Sequence, residues 1–229
     1  MLAGLAPRPL HCVEAERATP GSVNTRSSAL MPSQWTRRAS GVARVERGQT
    51  ARMEKTGARL GGTEVRQASE SDLDIIVEQT WQVAAEGRWI GTEVPFDRAA
   101  RREHLASALA NQSAAVLVAC TSGADGEVVV GHIWVSIAPY GVADIGMLVV
   151  EGWRGRGIGQ LLLESAMQWA ANAGAHKMAL EVWPHNEAAI GLYRGAGFVE
   201  EGRKVRHYRR RNGELWDSVL MGRPLAGPS

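Results

Sequence analysis

Cysteine is almost absent: the 229 residues hold only Cys12 and Cys120, far apart in the chain. No CxxC pair, HExxH or close His/Cys spacing occurs. That argues against a zinc site or a disulfide framework and suits a reducing cytoplasm, the expected location. No apolar run approaches the ~20 residues of a membrane-spanning helix. The segment Met1–Leu10 carries only Arg8 and lacks a long apolar stretch behind it, so neither a secretory signal nor a membrane partner is expected. No internal repeat is visible.

Charge is unevenly spread. The net +2 combines 10 Lys/Arg and 4 Asp/Glu in residues 1–63 with 16 and 20 in residues 64–229, giving +6 and −4. The basic character therefore belongs to the N-terminal segment. A basic arm can contact nucleic acid, but charge alone is weak evidence and no nucleic-acid motif accompanies it. Residues 1–62 show no sustained period of 3.6 or 2 and are expected to be disordered, with a domain over residues 63–225 and a tail at 226–229. Met31 and Met53 are alternative starts if the gene assignment is over-extended.

From Glu64 the pattern becomes periodic. Glu64–Gln67 reads as a strand. Ser71 and Asp74 are spaced as a capping box before a helix with Leu73, Ile76, Val77, Thr80, Trp81 and Ala84 on one face. A second helix is expected from Phe96–Asp97 to Leu109. Ala114–Cys120, Val128–Ile137 and Gly141–Val150 read as a meander, with a turn over Thr121–Gly126. A helix from Ile158 to Ala173 ends at Gly174. Strand Lys177–Trp183, helix Asn186–Arg194 and strands Phe198–Arg209 and Leu215–Met221 complete an α/β order, β-α-α-β-β-β-α-β-α-β-β.

The most informative segment joins the third meander strand to the long helix: Met147-Leu148-Val149-Val150-Glu151-Gly152-Trp153-Arg154-Gly155-Arg156-Gly157-Ile158-Gly159-Gln160. Glycines allow positive φ and close backbone approach. The first helical N–H groups have no intrahelical acceptor, so the turn can cradle a phosphate or pyrophosphate, with Arg154 and Arg156 adding positive charge. It is not a Walker loop, because no Gly-Lys-Ser/Thr closes it. GxGxxG fails at Gln160, and the preceding strands read as hairpins rather than βαβ units.

Arg154-x-x-Gly157-x-Gly159 resembles the Gln/Arg-x-x-Gly-x-Gly/Ala motif of the GNAT acetyltransferases. The match continues through Leu180-Glu181-Val182, Asn186, Ala188-Ala189-Ile190 and Tyr193-x-x-x-Gly197-Phe198, so the resemblance spans about residues 64–223. It implies a mixed, mostly antiparallel sheet of six to seven strands flanked by four helices, with strands four and five splayed. It also implies acetyl-CoA as cosubstrate, a primary amine as acceptor, direct transfer in a ternary complex and no metal.

Carried onto these residues, the resemblance sets the pantetheine arm against Met147, Leu148 and Val149. The pyrophosphate falls on the amides of Arg154, Gly155, Arg156, Gly157, Ile158, Gly159 and Gln160. Asn186 matches a cofactor contact and is equally a helix N-cap. Tyr193 matches the tyrosine that protonates the departing thiolate, or is a packing residue. Glu181 matches a proposed general base in the family's ribosomal-protein alanine acetyltransferase branch. Asp144, on strand four, is the other candidate base.

Trp89 beside Glu86 and Glu93 could hold a cationic amine, or plug a connector. Arg206–Arg211 could contact an acidic peptide or nucleic acid, or reads as a solvated hairpin tip. Cys120 reads as a buried strand residue, since direct transfer needs no nucleophilic thiol. The acceptor is left open between a small amine and a protein N-terminus or lysine, and a homodimer is left open as well. Two other functions stand beside the enzyme: a non-catalytic acyl-CoA-binding module, and nucleic-acid binding through the basic arm.

Overall fold

The computed structural model describes residues 59–123 and 126–225. Their strands are β1 (Thr63–Gln67), β2 (Ala114–Gly123), β3 (Gly126–Ile137), β4 (Val142–Val149), β5 (Lys177–Val182), β6 (Val199–Arg209) and β7 (Leu215–Pro224). The helices are α1 (Leu73–Ala85), α2 (Arg98–Leu109), α3 (Ile158–Asn172) and α4 (Glu187–Gly195). Sheet order is β1-β2-β3-β4-β5-β7-β6, with a two-residue arm, Arg59–Leu60, on the outer edge of β1. All neighbours are antiparallel except β4 and β5. This is the expected α/β fold. Most of the expected segment 1–62 lies outside the described residues, as does the tail 226–229. The arm and a turn at Gly61–Gly62 place the first described strand pairing four residues before the expected domain boundary.

Both faces of the sheet centre are covered, which explains the unbroken apolar run of β2. Alternate residues of β2 point opposite ways. Val116, Val118 and Cys120 pack with α1 and α2 through Leu73, Ile76, Val77 and Leu105. Ala115, Leu117 and Ala119 join the larger core with α3, α4, β4 and β5. In that core Leu162, Leu163 and Met178 are fully buried, and truncating such a side chain to alanine typically costs about 2–5 kcal/mol. Cys120 is buried as expected, and burial pushes its thiol up to about 12, far from a reactive thiolate.

Two local expectations shift. The capping box before α1 forms at Ser69 and Asp72, not at Ser71 and Asp74. The Asp72 carboxylate accepts from the Ser69 amide at 2.7 Å and hydroxyl at 2.8 Å, and a fork of bonds from Arg66 at 2.8 and 2.9 Å fixes it. Asp74 instead pairs with Arg102 of α2 at 2.9 Å. The expected turn over Thr121–Gly126 is narrower, because β2 runs to Gly123 and β3 starts at Gly126. Elsewhere the signals act as read: the Asp97 carboxylate caps α2 on the Ala100 amide at 3.0 Å, and α3 ends at Gly174 with φ +87°.

Candidate active site

β4 and β5 pair only at Val142–Lys177, Ala143–Met178 and Asp144–Ala179. Beyond that point β4 stays on β3 up to Val149, while β5 stays on β7 up to Val182. The strands therefore diverge, and the β5-facing backbone edge of Ile145–Val149 has no strand partner among the described residues. Such an edge accepts an extended ligand as an added strand. Met147, Leu148 and Val149 all lie on this free stretch.

The chain then turns through residues 150–157 into α3. Gly157 is the N-cap at φ +80°, a left-handed conformation that suits glycine. A Cβ there would also meet Leu60 Cδ2 at 2.6 Å, and one at Gly159 would crowd Leu192 Cδ2 at 3.1 Å. The N-terminal amides of α3 thus stand at the end of the free strand edge, the arrangement that binds phosphates. Arg156 stacks on Trp153 at 4.9 Å. Arg154 does not stand free beside the turn. Its guanidinium makes two bonds to Glu86, at 2.5 and 2.7 Å, and one from Nε to the Val149 carbonyl at 2.9 Å. Its charge is matched by Glu86, so it ties the turn to the end of α1.

A cleft of about 440 Å³ opens beside the divergence. Its walls include Met147, Leu148, Val149, Arg154, Gly155, Gly157, Gly159, Gln160, Glu181, Asn186 and Tyr193. Of the expected site residues, Asp144, Arg156 and Ile158 lie outside these walls. Asn186 serves as the N-cap of α4, its Oδ1 accepting from the Ala189 amide at 3.2 Å, while the residue still lines the cleft.

Tyr193, on α4, reaches the cleft from the α3/α4 side. It is 8% exposed and packs on Phe198 at 5.8 Å between ring centroids. Burial pushes its phenol up to about 12, so it holds its proton throughout the neutral range. Glu181 belongs to the opposite face of the sheet. It alternates with Leu180 and Val182, which enter the α3/α4 core. Its Oε1 accepts from Lys204 Nζ; its Oε2 accepts from Tyr208 Oη at 2.6 Å and Ser218 Oγ at 2.9 Å. Burial alone would raise this carboxyl, but the donors from Lys204, Tyr208 and Ser218 outweigh it and hold Glu181 below the usual range. β6 is irregular between Lys204 and Tyr208, where Arg206 sits at φ +49° with its amide on Asp217 at 2.7 Å. That irregularity lets both Lys204 and Tyr208 reach Glu181. Asp144 shares a sheet face with Glu181, and burial, then the Glu181 charge, raises its carboxyl.

The α1/α2 side of the cleft contains residues the sequence did not single out. Trp134 on β3 lies over Gly146 of β4, where any Cβ would overlap its indole ring. His132, two residues earlier on the same strand face, is 5% exposed and lines the cleft with Arg101 of α2. Alternation along β3 sets His132 and Trp134 on the α1/α2 face, while Ile133 and Val135 enter the opposite core, but a strand covered on both faces gives little polarity contrast to read. Trp89 also lines the cleft, but its indole donates to Glu86 at 2.5 Å and Arg88 stacks on it at 4.1 Å. Arg210 corrects the reading of Arg206–Arg211 as a wholly solvated tip. It is 5% exposed, lies 4.5 Å from the Trp216 ring centre and pairs with Glu93 at 3.5 Å.

The free strand edge, the glycine turn and the two-faced cleft lie together, an arrangement that can take an extended phosphate-bearing ligand and a second, smaller molecule. Residues 79–198, just over half the chain, match the model of the Acetyltransferase (GNAT) family. The chain belongs to that family. It is 34% identical over 112 residues to the L-amino acid N-acetyltransferase AaaT of Escherichia coli K12, covering 47% of this chain and 66% of that protein, just under two thirds. It is 31% identical over 142 residues to the L-methionine sulfoximine/L-methionine sulfone acetyltransferase of Pseudomonas paraeruginosa, covering 60% of this chain and 81% of that one. The fold also matches the GNAT phosphinothricin acetyltransferase of Sinorhizobium meliloti, solved with acetyl-CoA. That match has a TM-score of 0.64 and 22% identity, over 72% of this chain and 89% of that one.

Proposed function

We propose that the protein transfers the acetyl group of acetyl-CoA directly to a small primary amine, with both bound in one cleft. The observation that carries this reading is the divergence of β4 from β5 next to the α3 N-terminus, over a cleft reached by Tyr193 from one sheet face and Glu181 from the other. Acetyl-CoA supplies an activated acyl carbon. The free edge of Met147–Val149 holds the pantetheine arm as an added strand, and the amides of Arg154–Gln160 take the pyrophosphate. Arg156 contributes charge, whereas Arg154 acts mainly through its backbone and its tie to Glu86.

The amine must lose a proton to form the amide, and the thiolate must be stabilised as it leaves. Glu181 faces the acceptor side and takes the proton through water. Three of its roughly four lone-pair sites are already occupied, so it is a weak base that relays the proton to solvent. Tyr193 faces the cofactor side and directs its phenolic proton at the sulfur.

The test is release of CoA thiol from acetyl-CoA by a panel of small amines, paired with a melting-temperature measurement. Acetyl-CoA at about 100 times its Kd should stabilise the protein by about 2.7 kcal/mol. A folded protein that neither gains stability with acetyl-CoA nor releases thiol removes the proposal.

A further inference from the structure

Several cations around the cleft are matched by carboxylates. Arg154 is held by Glu86, Lys204 by Glu181 and Arg210 by Glu93. Arg101 has no carboxylate within ion-pair distance among the described residues. Its side chain reaches only Thr92 Oγ1, at 3.2 Å, and the face of Phe96, at 5.4 Å. It is nevertheless drawn into the protein: it stands one helical turn before the buried Leu105, and burial lowers its pKa. A desolvated guanidinium facing a cleft is poorly compensated until an anion arrives.

His132 stands in the same wall and in the field of Arg101. Neither ring nitrogen has a hydrogen-bond partner among the described residues, and Nδ1 is sealed from solvent. Burial, then the Arg101 charge, holds the ring neutral, with its pKa near 4. A neutral imidazole still carries one N–H, and here that donor lacks an acceptor. Ile76, Val83 and Leu105 line the surroundings without offering one. The cleft therefore holds a cation and a buried polar ring, both unmatched, on the face that also carries Glu181.

We infer that Arg101 and His132 form a carboxylate subsite and that the acceptor is a free α-amino acid. Its carboxylate lies against the guanidinium and the imidazole, and its amine is turned toward Glu181 and the strand divergence. A peptide N-terminus is disfavoured, because it presents a neutral amide where the subsite offers positive charge, and its chain would have to continue beneath α1 and α2. A diamine is disfavoured because it would bring a second cation to Arg101. The inference rests on the acetyl-transfer reading and narrows its acceptor.

The test uses the full chain with acetyl-CoA and trios of probes sharing one side chain: L-methionine, L-methioninamide and 3-(methylthio)propylamine, with matching trios for leucine and phenylalanine. A carboxylate bonded by a charged donor should favour the acid in kcat/KM by about 10- to 150-fold over its amide and its decarboxylated amine. Arg101→Gln should remove most of that advantage through KM, leave the decarboxylated amine within about threefold and retain acetyl-CoA binding. Arg101→Lys should recover part of the preference, as a purely structural role would not predict. Equal use of all three members of a trio overturns the subsite while leaving acetyl transfer standing. So does a folded Arg101→Gln protein that loses all three alike. If no probe turns over, calorimetry on the CoA-bound protein decides: the subsite stands only if an acid binds and Arg101→Gln weakens it. Absence of both acetyl-CoA binding and thiol release removes the parent reading as well.

Discussion

Replacing Tyr193 by phenylalanine isolates the cofactor side of the proposed chemistry. The ring is buried against Phe198, and the hydroxyl makes no hydrogen bond among the described residues, so the change should alter stability little. The phenol sits near 12 because burial disfavours its anion. An ordinary thiol has a pKa of about 8.5, so complete transfer of this proton to the departing thiolate runs uphill by about 3.5 units, or roughly 5 kcal/mol. The phenol therefore contributes chiefly as a hydrogen-bond donor to the developing negative sulfur. A hydrogen bond to a charged group is worth about 1.5–3 kcal/mol, which predicts a 10- to 150-fold fall in kcat. Full general-acid catalysis would span about 10²- to 10⁴-fold. The assay is single-turnover acetyl transfer from pH 6.5 to 9.5, with Kd for acetyl-CoA measured separately and expected within threefold of wild type. Activity within threefold of wild type, with chemistry shown to be rate-limiting, would make Tyr193 a packing residue. A loss beyond 10³-fold would refute the hydrogen-bond argument and restore full proton transfer.

Gly157→Asp introduces a side chain at φ +80° and a negative charge at the α3 amides. The protein should still fold but lose its melting-temperature gain with acetyl-CoA, and undiminished affinity would dismiss this turn as the phosphate site. Glu181→Gln should slow turnover about 10²-fold at neutral pH, with the loss shrinking as the amine deprotonates unaided; a pH-independent loss would make Glu181 a positioning residue and leave Asp144 as the candidate base. His132 should make the fold acid-sensitive. Its folded pKa near 4 lies below the unfolded value of about 6.5, so its contribution is complete above pH 6.5 and is lost as pH falls toward 4. The gap is worth about 3 kcal/mol, so the stability difference between wild type and His132→Gln in urea unfolding should shift by that amount from pH 7 to 4. An unchanged difference would show that His132 titrates normally.

The glycine turn beside the free strand edge was legible because its signals are local. Arg154-x-x-Gly157-x-Gly159 lies between a strand and a helix, and the turn needs that strand–glycine–helix order wherever the rest of the chain runs. Asn186 and Tyr193 follow within one strand and one helix. The α1/α2 side of the cleft was not legible, because its residues meet only through the sheet. Arg101 lies on a helix whose start was expected from Asp97, but nothing local shows that it has no partner. His132 and Trp134 sit in an apolar strand that both faces cover, where side-chain alternation leaves little polarity contrast. Glu181 was found by position, yet its chemistry depends on Lys204 and Tyr208, which approach only because β6 is irregular at Arg206. The capping box forms two residues earlier because Arg66, on β1, fixes the Asp72 carboxylate where it accepts from Ser69.

The Arg154–Glu86 pair joins these two halves. Arg154 occupies the first position of the cofactor motif, where charge alone suggested a phosphate contact. Its guanidinium is instead divided between the Val149 carbonyl, at the end of the free strand edge, and Glu86, just beyond the last residue of α1. Glu86 also accepts from Trp89, which lines the cleft. One carboxylate thus links the end of the free strand edge, the glycine turn and an aromatic wall of the cleft. The pair is only partly buried, with side-chain exposures of 34% and 26%, so its contribution to global stability is at most about 1 kcal/mol. Its larger effect is geometric. A turn held against α1 keeps the α3 amides in line with the Met147–Val149 edge. On this geometry Arg154 acts as the fastening between the glycine turn and the α1 side of the cleft.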